Sequence, residues 1–124
     1  MKHHQSLLLT LSLAFACIWL TACATVEQGA YRTIGATVTL VDASMNGWGD
    51  YVRAGKATDA QQAQVRALYL KYQGAMRVAK VAIISLKSSP ADEAQWLTIS
   101  TAFSAAANEL IQQLKPFVPS LQPK

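Results

Sequence analysis

Beyond residue 23 the sequence contains neither cysteine nor histidine, since Cys17, Cys23, His3 and His4 all lie at the amino-terminal end. This absence excludes a disulfide framework within one copy of that stretch and a conventional zinc or copper site. It also excludes a serine–histidine or cysteine–histidine nucleophile pair and a histidine general base. We therefore predict that the protein is not an enzyme and uses no cofactor or metal.

Charged residues are also scarce, at 15% of the chain, and the formal net charge of +4 is only mildly basic. No nucleic-acid recognition motif occurs, and aromatic and basic residues are not interleaved. We therefore expect no nucleic-acid partner.

Asp92 and Glu93 do not form a catalytic pair, because they are adjacent in the predicted first turn of a helix, where the helix dipole favours acids.

A hydrophobic run long enough to span a membrane is missing as well. The apolar stretch 7–20 is broken by Thr10 and Ser12, and it is shorter than the ~20 residues that a membrane-spanning helix needs. Its length is that of the apolar region of a secretory signal peptide, and Lys2 supplies the positive charge that precedes such a region. Residues 1–22 are predicted to be a cleaved signal peptide.

The apolar stretch closes on Leu20, Thr21, Ala22 and Cys23, which are a branched residue, two small residues and a cysteine. This ending resembles the lipobox of bacterial lipoproteins, and the resemblance covers residues 1–23 only. It implies cleavage before Cys23, attachment of diacylglycerol to the cysteine sulfur, and acylation of the new amine by a fatty acid such as palmitate. Two or three acyl chains hold a protein on a membrane in effect permanently, whereas a single chain does so only marginally.

The residue after the cysteine is Ala24 rather than aspartate. By resemblance to Gram-negative lipoproteins, this favours export to the outer membrane, with the protein facing the periplasm. In a host with a single membrane, the same residues imply a position on the outer face of the cell. The alternative is an ordinary secreted protein in which Cys23 is a chance thiol.

Three later segments have apolar residues spaced alternately by three and four positions, which places them on one side of a helix. The spacing predicts helices at about 26–54, 59–87 and 90–115, within one anchored domain over residues 23–116 and before a flexible, extended tail at 117–124. The apolar positions are Tyr31, Ile34, Val38, Val41, Met45, Trp48 and Val52; Val65, Tyr69, Tyr72, Met76, Ala79, Ile83 and Leu86; and Trp96, Ile99, Phe103, Ala106, Leu110 and Leu114.

Local signals mark the helix ends. Thr58 with Gln61 predicts a capping box for the second helix, and Gly55 suits the residue that ends the first. Ser89 and Pro90 suit the start of the third helix. Short connections make successive helices antiparallel, so the predicted fold is an all-α, up-down-up three-helix bundle. The alternative is an extended helical hairpin that completes its core in a homo-oligomer.

Residues 46–51 place two glycines inside the first predicted helix, at a cost of about 2 kcal/mol relative to alanine. One interpretation is a recognition surface in which Trp48, Asp50 and Tyr51 contact a partner. In the other interpretation, Trp48 anchors the core and the glycines leave room for a neighbouring helix.

The second predicted helix is basic along its length. Arg66, Arg77, Lys80 and Lys87 fall within about 80° of one another around the helix axis. We call these four residues the basic stripe, and they are candidates for binding an anionic surface such as phospholipid headgroups, cell wall or an acidic partner. The alternative is a solvated face whose long side chains cover the edge of the core.

Together these features predict a small, membrane-anchored lipoprotein of the cell envelope. Its predicted function is that of a non-enzymatic helical interaction module that binds another envelope protein. The alternative function is structural, with the basic stripe contacting anionic lipid or cell wall to maintain envelope integrity. The sequence identifies neither the partner nor the oligomeric state.

Overall fold

The computed structural model describes residues 26–86 and 90–122. Within these ranges the chain forms three α-helices and one short 3-10 helix, and it has the predicted all-α fold. The helix bounds lie within two residues of the predicted ones. The elements are α1 (Val26–Arg53), α2 (Asp59–Ser85), α3 (Pro90–Leu114) and the 3-10 helix Pro119–Leu121. The signal peptide, the lipobox with Cys23, Lys87 and Ser89 lie outside the described residues.

The three helices form the predicted antiparallel bundle. Helix α3 packs against both α1 and α2, and its closest packing is with α2. Helices α1 and α2 contact each other less, so an open groove remains between them. The third helix thus completes the core within one copy, and the hairpin alternative does not describe this chain.

The turn between α1 and α2 is built as the sequence predicts. Gly55 has a φ of 69°, which glycine adopts without steric cost. Its N–H donates to the Val52 carbonyl over 2.9 Å, and the Lys56 N–H donates to the Tyr51 carbonyl over 3.3 Å. This pair of hydrogen bonds is a Schellman motif, and it satisfies carbonyls that the end of a helix would leave unpaired.

The start of α2 carries the predicted capping box. The Gln61 N–H donates to Thr58 Oγ1 over 3.2 Å, and the Thr58 N–H donates to Gln61 Oε1 over 2.9 Å. Both residues thereby satisfy backbone N–H groups that have no partner within the helix. Together with Gly55, this cap reverses the chain and makes α2 antiparallel to α1.

The core follows the predicted apolar sides of the helices. Tyr72 and Phe103 are fully buried at the α2–α3 contact, with ring centroids 5.7 Å apart. Ser44 is the buried polar residue, and its hydroxyl donates to the Leu40 carbonyl over 2.7 Å. The predicted core positions that are buried are Ile34, Val41, Trp48, Val65, Tyr72, Ala79, Ile83, Phe103, Ala106, Leu110 and Leu114.

Tyr31 departs from this pattern, because it is exposed although it begins the predicted apolar side of α1. A straight α-helix drifts by about 20° per heptad relative to a strict seven-residue repeat. Over the heptads that separate Tyr31 from Val52, this drift rotates the first position away from the bundle. Ala30, one residue earlier, occupies the buried place instead.

The predicted extended tail is wrong for residues 117–122, which fold back onto the bundle. The N–H groups of Phe117 and Val118 both donate to the Leu114 carbonyl, over 2.9 and 3.1 Å, and the 3-10 helix follows. Val118 is only 1% exposed. It is buried because Gly47 has no side chain: an added Cβ there would lie 2.5 Å from Val118 Cγ1. Gly47 therefore leaves room for the tail. The interpretation in which it leaves room for a neighbouring helix is wrong.

We expect opposite effects of alanine at the two glycines of this segment. Gly49→Ala should raise the free energy of unfolding by about 0.5–1 kcal/mol, because it improves helix propensity and its new Cβ approaches nothing closer than Arg53 Nη1 at 3.7 Å. Gly47→Ala gains the same propensity but must displace Val118, and overpacking of this kind costs about 1–3 kcal/mol. Urea unfolding followed by circular dichroism measures both variants.

Gly49→Ala is the matched control, since it makes the same chemical change two residues away on the same helix. Adding Val118→Ala to Gly47→Ala should recover part of the lost stability, and the double-mutant cycle measures the coupling of the two sites. Equal stabilisation by the two alanines would contradict the packing of Val118 on Gly47.

Candidate functional site

Trp48 lies in an aromatic cluster that joins α1 to the tail. Its ring centroid is 5.7 Å from that of Tyr51 and 5.5 Å from that of Phe117, and Tyr51 and Phe117 are 5.2 Å apart. Trp48 is only 6% exposed. It is therefore part of the core, as the second interpretation predicts, and its predicted contact with a partner stays a prediction. Asp50 is exposed and pairs with Arg53, and Tyr51 is half-buried, so their predicted contacts with a partner stay predictions.

The structure places two residues of the basic stripe in two different grooves, at opposite ends of the bundle. Arg66 lines the groove between α1 and α2, whereas Arg77 lines a second groove, between α2 and α3. Lys80 is exposed, and Lys87 lies outside the described residues. Lys71 lies off the stripe and pairs with Glu109 of α3. Arg66, Arg77 and Lys80 are all exposed, but they do not line one common groove.

Four large apolar residues of α2 are exposed: Leu70, Val78, Val81 and Ile84. Leu70 is two positions from the buried Tyr72, and Val81 is two positions from the buried Ala79. Two positions correspond to about 200° around a helix, so these side chains point away from the core. We call the four residues the outer face of α2. The sequence analysis did not predict this exposed face. The signal for it was the almost continuous apolar run at 78–84, because the apolar residues of such a run cannot all lie on the core-facing side of one helix.

The groove between α2 and α3 is mostly apolar and lies where α2 ends and α3 begins. Its volume is about 380 Å³. Arg77 and Asp92 contribute its charges. We call it the α2–α3 groove, and its lining residues are Arg77, Val78, Val81, Ala82, Ser85, Leu86, Asp92, Gln95, Trp96 and Ile99.

The groove between α1 and α2 is larger and lies at the opposite end of the bundle, with a volume of about 720 Å³. Trp48 and Tyr69 line it together with the polar residues Arg53, Asp59 and Arg66. Arg53 is already held by Asp50. This groove therefore presents mixed charge over an aromatic floor.

The pKa of Tyr72 clearly departs from its ordinary value. Burial raises the pKa of its hydroxyl, and the carboxylate of Asp42 and the nearby Tyr69 raise it further. The hydroxyl therefore stays protonated, and it lies 3.7 Å from the sulfur of Met76. Across residues 26–86 and 90–122, no three potential metal ligands come together, and no buried side-chain nitrogen or oxygen lacks a hydrogen-bond partner.

Comparisons with protein-family models, curated proteins and solved structures found no match. None of the helices in the described part of the chain is long and apolar enough to cross a bilayer. Among the surfaces that the described residues offer for contact are the two grooves, the outer face of α2 and the exposed members of the basic stripe.

Proposed function

We propose that this protein is a lipid-anchored lipoprotein of the bacterial envelope that acts without catalysis, by binding another envelope protein. The anchor is supported by the lipobox-like residues Leu20 to Cys23 behind an apolar leader. The outer membrane, facing the periplasm, is the location that Ala24 favours by the same resemblance. Binding of a protein is supported above all by the α2–α3 groove.

The chemistry of the α2–α3 groove suits a segment of a protein chain. Val78 and Val81 form one wall and Trp96 and Ile99 the other, and such apolar walls accept the anchoring side chains of an amphipathic helix. Tryptophan is enriched among the residues that carry binding energy in interfaces. Trp96 is half-buried and is therefore held in place while part of its ring remains accessible.

The position of this groove limits where the partner is found. The groove lies at the end of the bundle where α1 begins, because α1 and α2 are antiparallel. The chain from Cys23 to Val26 spans at most roughly 11 Å. A lipid on Cys23 therefore keeps the groove close to the membrane surface, which is within reach of an integral or lipid-anchored protein of the same membrane.

Site-specific photocrosslinking in the native host tests this proposal. A photoreactive residue in place of Gln95, which lines the groove, should give an adduct with one envelope protein. The matched control replaces Gln112, an exposed glutamine near the other end of α3. Trp96→Ala in the Gln95 variant should reduce the adduct about 30-fold, as expected for loss of an anchoring aromatic residue worth ~2 kcal/mol.

Equal adducts at the two positions, or no adduct at Gln95, would remove the support for a protein partner at this groove. Persistence of the adduct after Trp96→Ala would show that the groove is not the contact. Circular dichroism of the Trp96→Ala protein checks that the bundle is intact.

A second candidate function is structural contact with anionic lipid or cell wall through the basic stripe. Arg66, Arg77 and Lys80 are exposed and available for such contact. Exposed apolar residues lie beside these cations on α2. Because cell wall is polar, this combination favours lipid as the anionic surface.

A further inference from the structure

We infer that the outer face of α2 lies against an anionic membrane surface, so that the bundle rests on its side on the leaflet that anchors it. The apolar residues Val81 and Ile84 enter the boundary between headgroups and acyl chains, while Arg77 and Lys80 bind lipid phosphates. This inference rests on the proposed lipid anchor and does not require the proposed protein partner, although the outer face shares Val78 and Val81 with the α2–α3 groove.

The first observation is the exposure of the outer face. Ile84 is 82% exposed and Val81 is 65% exposed, and Leu70 and Val78 are each more than half exposed. Single apolar residues on a surface are ordinary, but several on one side of one helix mark a contact surface. The core already packs against the opposite side of α2, so no residue within the described bundle covers them.

The second observation is the charge around these residues. Arg77 is four positions before Val81, which puts the two on the same side of the helix, and Lys80 lies on the adjoining edge. After Asp59 the whole of α2 carries no acid. Asp92 of α3 lines the α2–α3 groove together with Arg77, but α2 itself flanks its apolar residues with cations and, beyond Asp59, with no acid. This is the composition of a helix that lies in the membrane interface and binds anionic lipid.

The third observation is the position of the outer face along the bundle. Val78, Val81 and Ile84 lie in the last eight residues of α2, and α2 runs antiparallel to α1, so this part of α2 lies near the start of α1. The exposed apolar residues are therefore at the end of the bundle that follows Cys23. An acyl anchor on Cys23 and this face can therefore contact the same leaflet. Attachment of either one raises the effective concentration of the other at the membrane surface.

A second copy of the chain fits the outer face less well than lipid does. Pairing two copies through this face would bring Arg77 and Lys80 of each close to the same residues of the other. Asp92 of α3, which lines the groove with Arg77, is one acid against these two cations in each copy, and α2 beyond Asp59 adds none. Positive charge therefore remains in excess at the contact, and like charges repel. Phosphates of an anionic leaflet provide the complementary charge.

Spin labelling of the lipidated protein tests this contact apart from the anchor. The full precursor is processed in a bacterial host, purified in detergent and reconstituted into vesicles of phosphatidylcholine, alone or with an equal part of phosphatidylglycerol. Nitroxides are attached to Val81→Cys and Ile84→Cys. The matched control is Leu97→Cys, since Leu97 is equally exposed, at the same end of the bundle, and on the side of α3 opposite Gln95.

In anionic vesicles, labels at positions 81 and 84 should gain oxygen accessibility and lose access to a water-soluble relaxant, while the label at position 97 should not change. Arg77→Gln and Lys80→Gln should each lower the ratio of immersed to free label about five-fold. Immersion to the same extent in neutral vesicles would overturn the role of anionic lipid. Labels at 81 and 84 that stay in water, or that are covered only when a protein partner is present, would overturn the membrane contact.

Mass spectrometry of the same sample shows whether Cys23 carries lipid. An unlipidated product would be a failure of the proposed anchor, whereas a lipidated protein with labels 81 and 84 in water would be a failure of this inference alone. The parent protein, with its mature cysteine blocked by the thioether, should take up no nitroxide.

Discussion

Replacement of Phe103 by alanine should lower the free energy of unfolding by about 3–5 kcal/mol, which is the usual loss for truncating a buried phenylalanine. Phe103 is fully buried on α3, and its ring packs on Tyr72 of α2. The substitution leaves a cavity at the closest helix contact of the bundle. Domains of this size have only about 5–15 kcal/mol of stability in total, so urea unfolding should show a large fall in the midpoint.

Leu97→Ala is the control for this prediction, because Leu97 is a large apolar residue of the same helix that is 67% exposed. Truncating it should change stability by no more than about 0.5 kcal/mol. Similar losses in the two variants would contradict the burial of Phe103 and the assignment of the core side of α3.

Replacement of Cys23 by serine should abolish incorporation of lipid. The proposed anchor depends on a thioether at this sulfur, and serine has no sulfur to modify. Metabolic labelling of the host with a tagged palmitate, followed by isolation of the protein, measures the effect. We expect complete loss of label, because Cys23 is the only cysteine after the predicted cleavage site.

Cys17→Ser is the matched control, since it makes the same change at the other cysteine of the chain. Phe15 stands where a small residue would be needed before a lipidated cysteine, so this variant should keep the full label. Loss of label in both variants, or persistence of label in Cys23→Ser, would contradict the lipobox interpretation. A parent protein found without lipid in the culture medium would favour the ordinary secreted alternative.

The two proposed contacts meet at one place on the molecule. Arg77, Val78 and Val81 line the α2–α3 groove, and the two valines also belong to the outer face of α2. If the outer face rests on the leaflet, the groove opens at the lipid surface. A partner that is itself held in the membrane has already lost part of its translational and rotational freedom. It therefore loses less of this freedom when it binds the groove.

The helices and their ends follow from local sequence. The alternation of apolar residues by three and four, the capping box of Thr58 and Gln61, and Gly55 at the turn are short-range signals. Each depends on residues within one or two helical turns, so no knowledge of the partner helices is required. The prediction that Tyr31 lies on the core side is wrong because the apolar pattern has slightly fewer residues per turn than a straight helix. The predicted side therefore drifts around α1 along its length.

The sites depend on which surfaces the third helix and the tail cover, and that is not a local property. Helix α2 has apolar residues on two sides, and periodicity alone does not say that α3 covers Tyr72 and Ala79 while Val81 and Ile84 remain exposed. Likewise, nothing in the sequence around Gly47 indicates that Val118, which is far along the chain, packs into the space that a side chain at position 47 would fill. Helical pattern fixes which residues share a side, but packing between distant segments decides which side meets water, lipid or protein.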